Sequence, residues 1–341
     1  MAMRQAGSRD RRAAGPGCPP AEVIAEWLHA ATLAPSKHNT QPWRFRVLRD
    51  AQTIELYADP ERMLRYGDPH GRAVHIACGA ALFNLRLAVS VAHREPVVRL
   101  LPDPAVPLLL ATLRLGGRHR VHDAEREMYA AIAARHTNRW PFSGRPVPPG
   151  VTAELVQAAR LEGAELHIPG QAETHRLLCL IADAERDLLA DPAYQAELAR
   201  WAGGERTADG MPGAVLGPRD PRGHTPVRDF RTAGGGPAGY AWFEEAPQLA
   251  VLSTAVSGRP DWLRAGQALQ RVLLTATAHG LAATPLTQPL ETGDAWQVRD
   301  PAGGGSPQVI LRVGYGLPVP ASPRRPVADV LDEPLVGKNP G

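Results

Sequence analysis

Two polar clusters hold the side chains of this sequence that could bind a ligand or do chemistry. The first lies at residues 35–43, between two prolines, and offers hydroxyl and amide groups: Ser36, Asn39, Thr40 and Gln41. The second is the run Arg135-His136-Thr137-Asn138-Arg139, in which two arginines flank a hydroxyl and an imidazole. Arginine binds planar anions through two parallel hydrogen bonds. Arginines beside small polar groups therefore indicate a site for a phosphate monoester.

A third basic point lies near the C-terminus, where Arg324 and Arg325 are adjacent. Each side chain could bind the same phosphate, or could be a charge surrounded by water. We interpret Arg325 as the better candidate for a phosphate ligand and Arg324 as the more solvated of the two.

Several common kinds of active site are missing from the sequence. No glycine-rich loop ends in Gly-Lys-Ser/Thr, no Gly-x-Gly-x-x-Gly follows a predicted strand, and neither His-Glu-x-x-His nor Gly-x-Ser-x-Gly occurs. The three cysteines, Cys18, Cys78 and Cys179, are far apart, and the 12 histidines are scattered. Because there is no Cys-x-x-Cys pair, we predict neither a disulfide framework nor a metal site.

The composition predicts a globular protein of two domains. The chain has 341 residues, 44% of them hydrophobic, and a net charge of only +3. Its most apolar stretch, residues 74–92, contains His75, Asn84 and Arg86, and so suits a core helix better than a membrane span. No apolar run near the N-terminus is typical of a signal peptide, and no basic stripe alternates with aromatic residues. We therefore expect a cytoplasmic protein that binds neither membranes nor nucleic acid.

Helical and strand patterns place each cluster at the end of a regular element. A helix over residues 22–33 leads to the first cluster, and strands at 43–48 and 53–57 form a hairpin after it. A helix over 122–134 leads into the second cluster. The other predicted elements are helices at 74–92, 152–160, 173–201 (broken near Asp191) and 262–279, and strands at 110–115, 165–168, 249–256 and 309–313.

Residues 203–239 form a long segment without clear periodicity. They are rich in Gly, Pro, Arg and Asp. A long irregular loop inside a compact chain is uncommon and is often functional. We predict that this segment is an insertion that acts as a lid.

The two halves of the chain repeat one plan. A Cys-Gly-Ala-Ala-Leu run around Gly79 aligns with an Ala-Gly-Gln-Ala-Leu run around Gly266, at an offset of 187 residues (266 minus 79). Residues 113–116 align with residues 311–314 at an offset of 198 (312 minus 114). Two matches in the same order indicate an internal duplication. Two like halves in one chain are expected to pack as a built-in homodimer.

The two clusters match the motifs of a known superfamily. The first, Ala34-Pro35-Ser36-x-x-Asn39-x-Gln41-Pro42-Trp43, resembles the Pro-Ser-x-x-Asn-x-Gln-Pro-Trp signature of the FMN-dependent nitroreductase superfamily. The second is similar to that superfamily's Arg-x-Ser-x-Arg/Lys motif, and residues 280–286 and the pair Arg325-Pro326 also match. The order of the two motifs is inverted relative to a single subunit. The inversion, the duplication and the insertion resemble the Acg-like branch, in which two nitroreductase-like halves are fused.

The resemblance implies an α+β nitroreductase-like fold. Its two halves would pack as an intramolecular pseudo-dimer, each with an antiparallel sheet and surrounding helices. Residues 20–120 would form the first half and residues 121–332 the second, with the insertion at 203–239. Residues 1–19 would be a disordered N-terminal tail and residues 333–341 a C-terminal tail. A monomeric pseudo-dimer is one form that this arrangement allows.

The resemblance also implies one flavin site between the halves. In the superfamily, one subunit holds the phosphate and the other partly covers the ring. Carried over, the second half would supply Arg135, Thr137 and Arg325 to the phosphate and ribityl chain, with His136 nearby and Arg324 also in the cofactor site. It would place Arg139 by N1 and O2 of the ring and back the ring with Pro285, Leu286 and Thr287. The first half would reach across with Pro35, Ser36, Lys37, Asn39 and Gln41. Because neither half has both motifs, the chain should hold one complete site where an ordinary dimer holds two.

The implied function is an FMN-dependent oxidoreductase. It would take hydride from NADH or NADPH and reduce a nitroaromatic, a quinone or a similar small-molecule acceptor. Such chemistry needs no dedicated side-chain acid or base, because the cofactor carries the reaction. A lid that stays closed would instead make the chain a flavin-sequestering protein with little turnover. Another flavin chemistry, such as flavin destruction or reductive dehalogenation, is a third possibility.

Overall fold

Two four-stranded antiparallel sheets with helices around them make up the fold, which is an α+β architecture. The computed structural model describes residues 19–223, 225, 227–230, 239–293, 298 and 305–332. The architecture confirms the predicted fold class. The predicted tails, residues 1–19 and 333–341, lie outside the described residues except for Pro19.

The first half is built around one long buried helix. Its elements are helix α1 (Ala21–Thr32), strands β1 (Trp43–Leu48) and β2 (Thr53–Ala58), helix α2 (Arg72–Val91), and strands β3 (Arg94–Leu100) and β4 (Leu109–Arg118). The strands lie in the order β1-β2-β4-β3, and each neighbouring pair is antiparallel. Helix α2 is apolar nearly all round, which is typical of a helix in a core, and it packs against α1 and the sheet.

The second half repeats this plan with one large insertion. It contains helices α3 (Asp123–Ala134), α4 (Pro149–Leu161), α5 (Gln171–Ala190), α6 (Pro192–Trp201), α7 (Arg259–Ala278) and α8 (Val327–Val330), and strands β5 (Glu165–His167), β6 (Gln248–Thr254), β7 (Ala282–Pro285) and β8 (Ser306–Gly314). The sheet order β5-β6-β8-β7 is that of the first sheet, again antiparallel throughout. Helices α5 and α6 and the irregular segment stand between β5 and β6, where the first half has only a short turn.

Two edge strands were not predicted. Strand β3 contains Pro96, which cannot donate a ladder hydrogen bond, and it lies at the edge of its sheet, where a proline is tolerated. Strand β7 has only four residues and also lies at an edge, opposite β8. The predicted break in the helix at 173–201 is confirmed. There Pro192 starts α6, and the Asp191 carboxylate accepts a hydrogen bond from Ala193 N at 2.8 Å.

Helices α2 and α7 cross at the two glycines that the duplication pairs. Both helices are 20 residues long, and each begins at an arginine, Arg72 and Arg259, related by the same offset. A Cβ on Gly266 would lie 2.1 Å from the Ile76 carbonyl oxygen, and one on Gly79 would lie 2.3 Å from the Leu263 carbonyl oxygen. The halves therefore meet backbone to backbone, and the contact is the same from either side. This symmetry supports the predicted duplication.

Segments of the second half also pack in the core of the first half. Val330 of α8 is fully buried in the core of the first half, and Leu331 forms a parallel bridge with Phe45 of β1. Met128 and Ile132 of α3 pack into the same core. The predicted boundary between the halves, at residues 120 and 121, therefore stays a prediction, because α3 and α8 of the second half pack in the core of the first.

Within the described residues, one helix is long and apolar enough to cross a membrane by length and composition, namely α2. It is 89% buried inside the protein, which agrees with the predicted core helix.

Candidate functional site

A cavity of about 620 Å³ lies between the two halves. This volume is within the range of small-molecule sites, about 300–1,000 Å³. Its walls come from α2 and the first polar cluster on one side, and from α7, β7, β8, the second cluster and the insertion on the other. Seven of the predicted site residues line it: Pro35, Ser36, Lys37, Thr137, Arg139, Pro285 and Thr287. The cavity brings together motifs that are about a hundred residues or more apart in the chain.

The loop of the first cluster has an unusual backbone. His38, Asn39 and Gln41 have positive φ angles of 51°, 55° and 50°. Such conformations cost about 1–3 kcal/mol each for residues other than glycine, and they persist only where the surroundings impose them. Here the Ser36 hydroxyl accepts a hydrogen bond from Gln41 N at 2.9 Å. The sequence predicted a turn between helix and strand, but not this left-handed path.

Asn39 and Gln41 hold neighbouring segments in place and do not line the cavity. Asn39 donates from Nδ2 to the carbonyls of Gly210 (2.8 Å) and Pro323 (2.9 Å). Gln41 donates from Nε2 to Ala208 O at 2.8 Å. The two amides therefore tie the insertion and the C-terminal segment to the first half.

Arg135 and Arg324 form a pair of buried cations at the end of α1. Both guanidiniums donate to the Leu33 carbonyl, at 3.2 and 3.3 Å. In the described part of the chain neither forms an ion pair with a carboxylate, and the Nε atom of each is buried without a hydrogen-bond partner. Burial lowers the pKa of Arg324 to about 10, and burial together with Arg324 lowers the pKa of Arg135 to about 9. Two desolvated like charges with spare donors are suited to bind an anion.

The interpretation of the C-terminal arginine pair was wrong for Arg324. Its guanidinium is desolvated against Leu33, Ala34 and Asn39 and is not a solvated charge. Arg325 is the residue with an acidic partner, since its Nη1 lies 3.5 Å from an Asp59 carboxylate oxygen. The sequence offered no signal for which of the two arginines is desolvated, because this depends on which side chain faces α1.

His136 and Leu286 lie outside the cavity lining. Burial, Arg135 and Arg324 lower the pKa of His136, so the imidazole is close to the cation pair. Leu286 is 1% exposed and packs in a core cluster of the second half. Asn138, to which no role was assigned, fixes the second cluster by donating from Nδ2 to Leu317 O at 2.8 Å and from its backbone N to Ala283 O at 3.0 Å.

Arg139 lines the cavity beneath the insertion. Its Nη1 donates to Val215 O at 3.0 Å, and its guanidinium lies 5.4 Å from the ring centroid of Phe230. Burial and then Arg228 lower its pKa to about 10. A Cβ on Gly217 would lie 2.7 Å from Arg139 O, so the insertion backbone packs directly on this residue.

The described part of the insertion closes one side of the cavity. Val227, Arg228 and Phe230 line it, and Phe230 contacts the His38 ring edge-on at 6.2 Å between centroids. Residues 224, 226 and 231–238 of the predicted lid lie outside the described residues. The insertion covers the cavity as a lid would, and the opening of the insertion stays a prediction.

A buried ionic group in the cavity wall was missed by sequence reasoning. Glu291 pairs with Lys37 (Nζ to Oε2, 2.8 Å) and with Arg228 (2.9 Å), and its side chain is 4% exposed. Burial opposes the ionisation of Glu291, but Arg228 and Lys37 hold its pKa below the ordinary value. These residues come from three separate segments, and no motif links them. Nothing in the sequence singled out Glu291 or Arg228.

Among the described residues, no group of three or more His, Cys, Asp or Glu side chains could hold a metal ion.

Comparison with known proteins decides the family. A family model described as "Nitroreductase family" matches residues 10–66 and 132–315. The chain belongs to the nitroreductase family. The protein named "Putative NAD(P)H nitroreductase Rv3131" from Mycobacterium tuberculosis H37Rv is 36% identical to it, over 93% of each chain. "Putative NAD(P)H nitroreductase acg" from the same strain is 31% identical, over 91% of this chain and 95% of the relative.

Solved nitroreductases are more distant. One from Anabaena variabilis has a TM-score of 0.45 and 11% identity, covering 86% of this chain and 73% of the other. One from Desulfovibrio desulfuricans in complex with FMN has a TM-score of 0.34 and 16% identity, covering 60% and 95%. The predicted resemblance to the nitroreductase superfamily and its Acg-like branch is confirmed by the family match and the acg relative.

Proposed function

We propose that this nitroreductase-family chain binds one FMN in the cavity between its halves. With it, the chain would pass hydride from NADPH or NADH to a nitroaromatic, a quinone or a similar small-molecule acceptor. The observation that carries the proposal is the pair of buried guanidiniums, Arg135 and Arg324, which have no carboxylate partner among the described residues. Both curated relatives are named as NAD(P)H nitroreductases, which supports the choice of reductant.

The residues present fit FMN. A phosphate would supply the acceptors that the spare Nε–H groups of Arg135 and Arg324 lack. Thr137, two residues after Arg135, and Ser36 both line the cavity and could bond the ribityl chain, whereas Arg135 and Arg324 lie outside its lining. Arg139 would face the electron-rich edge of the ring. Thr287 and Pro285, which line the cavity, would back the ring.

The bound FMN would supply two-electron redox chemistry, and the chain would supply binding and electrostatics. The desolvated Arg139 stabilises negative charge more strongly than a solvated arginine would, because the local dielectric constant is low. Asn39 and Gln41 tie the first cluster to the insertion and the C-terminal segment, and Asn138 ties the second cluster to Leu317. The insertion excludes water from the side of the cavity that carries Phe230.

Flavin sequestration is the second candidate. The observation that favours it is that Val227, Arg228 and Phe230 of the insertion form part of the cavity wall, and Arg228 is ion-paired to Glu291. If this wall stays in place, nicotinamide has no access to the cofactor. The two candidates share the FMN site and differ only in whether the insertion opens.

Stopped-flow reduction of the FMN-loaded protein tests the proposal. Mixing with excess NADPH under anaerobic conditions should bleach the flavin absorption within seconds, and a quinone added afterwards should restore it. Bleaching that takes hours, with FMN still bound, would support sequestration. A protein that binds no FMN would contradict both candidates.

A further inference from the structure

The chain uses arginine almost exclusively as its basic residue, yet one lysine lies in the cavity wall. Of its 38 lysines and arginines, only Lys37 and Lys338 are lysines. Lys37 lines the cavity, and its side chain is 11% exposed. An arginine keeps its proton under all ordinary conditions, whereas a buried lysine can release one. Lys37 therefore differs from the arginines around it in how readily it can release a proton.

The Lys37 ammonium is held by groups from several segments. It pairs with the Glu291 carboxylate at 2.8 Å and donates to the Gly67 carbonyl oxygen. Its Nζ lies 5.9 Å from the centre of the Tyr194 ring. An ammonium has three N–H bonds. The ammonium is thus held by protein groups, and Lys37 also lines the cavity, so it belongs to the wall that a bound molecule would contact.

We propose that Lys37 donates the proton that completes reduction of the acceptor. The inference rests on the proposed function and adds to it a proton donor, which the sequence analysis did not assign. Reducing a quinone to a hydroquinone takes a hydride and a proton. The dihydronicotinamide supplies the hydride, with both electrons, by way of the bound cofactor. An Nζ–H bond of Lys37 then breaks and an O–H bond forms on the hydroquinone monoanion. The neutral amine takes a proton from water after the product leaves.

The other titratable groups of the wall are less suited to this step. Burial and then Lys37 lower the pKa of His38 well below its ordinary value, so this imidazole is neutral near pH 7 and has no extra proton to give. Arg72, Arg139 and Arg228 carry guanidiniums, a group that typically binds anions through paired hydrogen bonds rather than serving as a proton donor. Burial raises the pKa of Asp68, but its carboxylate accepts a hydrogen bond from Val74 N at 2.9 Å and so is engaged with the first turn of α2.

The surroundings of Lys37 set the pH at which it acts. The charged and titratable groups facing it are Glu291 after β7, Arg228 of the insertion, Asp68 before α2, His38 beside it, and Tyr194 and Glu197 of α6. Burial is the main cause that lowers the pKa of Lys37, Glu291 opposes it, and Arg228 adds to it. Removing the Glu291 charge should therefore lower the pKa of Lys37, and removing the Arg228 charge should raise it.

Measuring the two half-reactions of Lys37→Arg separately tests the proposal. This variant keeps the positive charge beside Glu291 but cannot release a proton. FMN loading and bleaching by NADPH are measured first, so that reoxidation is compared per bound and reduced flavin. Reoxidation of the reduced protein by a benzoquinone should slow by about 100-fold, the usual contribution of a general acid. Reoxidation within about threefold of the parent protein would overturn the proposal and leave the proposed function intact. A failure of NADPH to bleach the parent protein would overturn both.

A direct titration provides a readout that does not depend on activity. Lysine labelled with ¹³C at Cε should give two NMR signals in the FMN-loaded protein, and Lys338→Arg identifies the one from Lys37. Glu291→Gln should move the Lys37 midpoint to lower pH and Arg228→Gln to higher pH. The high-pH limb of the quinone reoxidation rate should move with each midpoint. A limb that stays fixed while the midpoints move would overturn the proposal.

Discussion

Arg324→Ala should weaken the binding of FMN by about 10- to 100-fold. A hydrogen bond to a charged group contributes about 1.5–3 kcal/mol, and each 1.4 kcal/mol is a factor of ten in affinity. Arg135→Ala should have an effect of the same size, because the two guanidiniums form one anion site. Equilibrium dialysis of FMN, or quenching of its fluorescence, measures the dissociation constant.

The neighbouring arginine provides a matched control. Arg325→Ala removes the same charge one residue away, but Arg325 pairs with Asp59 and not with the cation pair. It should change FMN affinity by less than about threefold. Equal losses from Arg324→Ala and Arg325→Ala would contradict the assignment of the phosphate site.

Removing one cation of the Arg135–Arg324 pair should not lower the stability of the protein without cofactor, although it lowers FMN affinity. Arg135 makes one hydrogen bond, to Leu33 O at 3.2 Å, and its pKa is lowered to about 9 by burial and by Arg324. Arg135→Met should therefore leave the melting temperature of the apoprotein unchanged or raised while FMN affinity falls. A loss of both together would indicate that Arg135 is mainly structural.

Gly266→Ala should destabilise the protein by about 3 kcal/mol or more, at the upper end of the usual cost of overpacking. The added Cβ would lie 2.1 Å from the Ile76 carbonyl oxygen and 2.9 Å from the Gly79 Cα. Both obstacles are backbone atoms of a buried helix, so the two helices must separate. Because the cavity lies between the halves, FMN binding should weaken as well. Thermal unfolding should show a fall in melting temperature of roughly 4 °C or more.

Gly150→Ala is the control for this substitution. Gly150 lies in the first turn of α4, and no heavy atom lies within 4 Å of the position of an added Cβ. Its replacement should be neutral or stabilising by up to about 1 kcal/mol. If Gly266→Ala proved as mild as Gly150→Ala, the close crossing of α2 and α7 would be contradicted.

The sequence predicted the fold well because its signals were local or repeated. The apolar run of α2 and the helical pattern of α7 located both helices, and the offset of 187 residues (266 minus 79) paired Gly79 with Gly266 without showing that the helices meet there. Strands β3 and β7 escaped prediction because each is an edge strand that contains a proline, inside β3 and at the end of β7. The packing of α8 on the first half joins segments about 280 residues apart in the chain, and no local sequence pattern encodes it.

The sequence predicted the motifs of the candidate site, and the structure corrected the directions in which some of their side chains point. Ser36, Thr137 and Arg139 line the cavity as expected, since their motifs fix them next to rigid elements. Arg324 lies desolvated against the end of α1 while Arg325 pairs with Asp59, because adjacent side chains point to different neighbours, which sequence spacing does not determine. Glu291 was missed because a carboxylate in a turn-rich segment is usually solvated, and only the fold brings it to Lys37.

The number of FMN molecules per chain tests the central claim most directly. If one site is assembled from both halves, native mass spectrometry of the FMN-loaded protein should show one FMN per chain. The Arg324→Ala variant, loaded under the same conditions, should show a much lower occupancy. Two FMN molecules per chain would contradict the single shared site, and none would contradict the assignment of the cavity to a flavin.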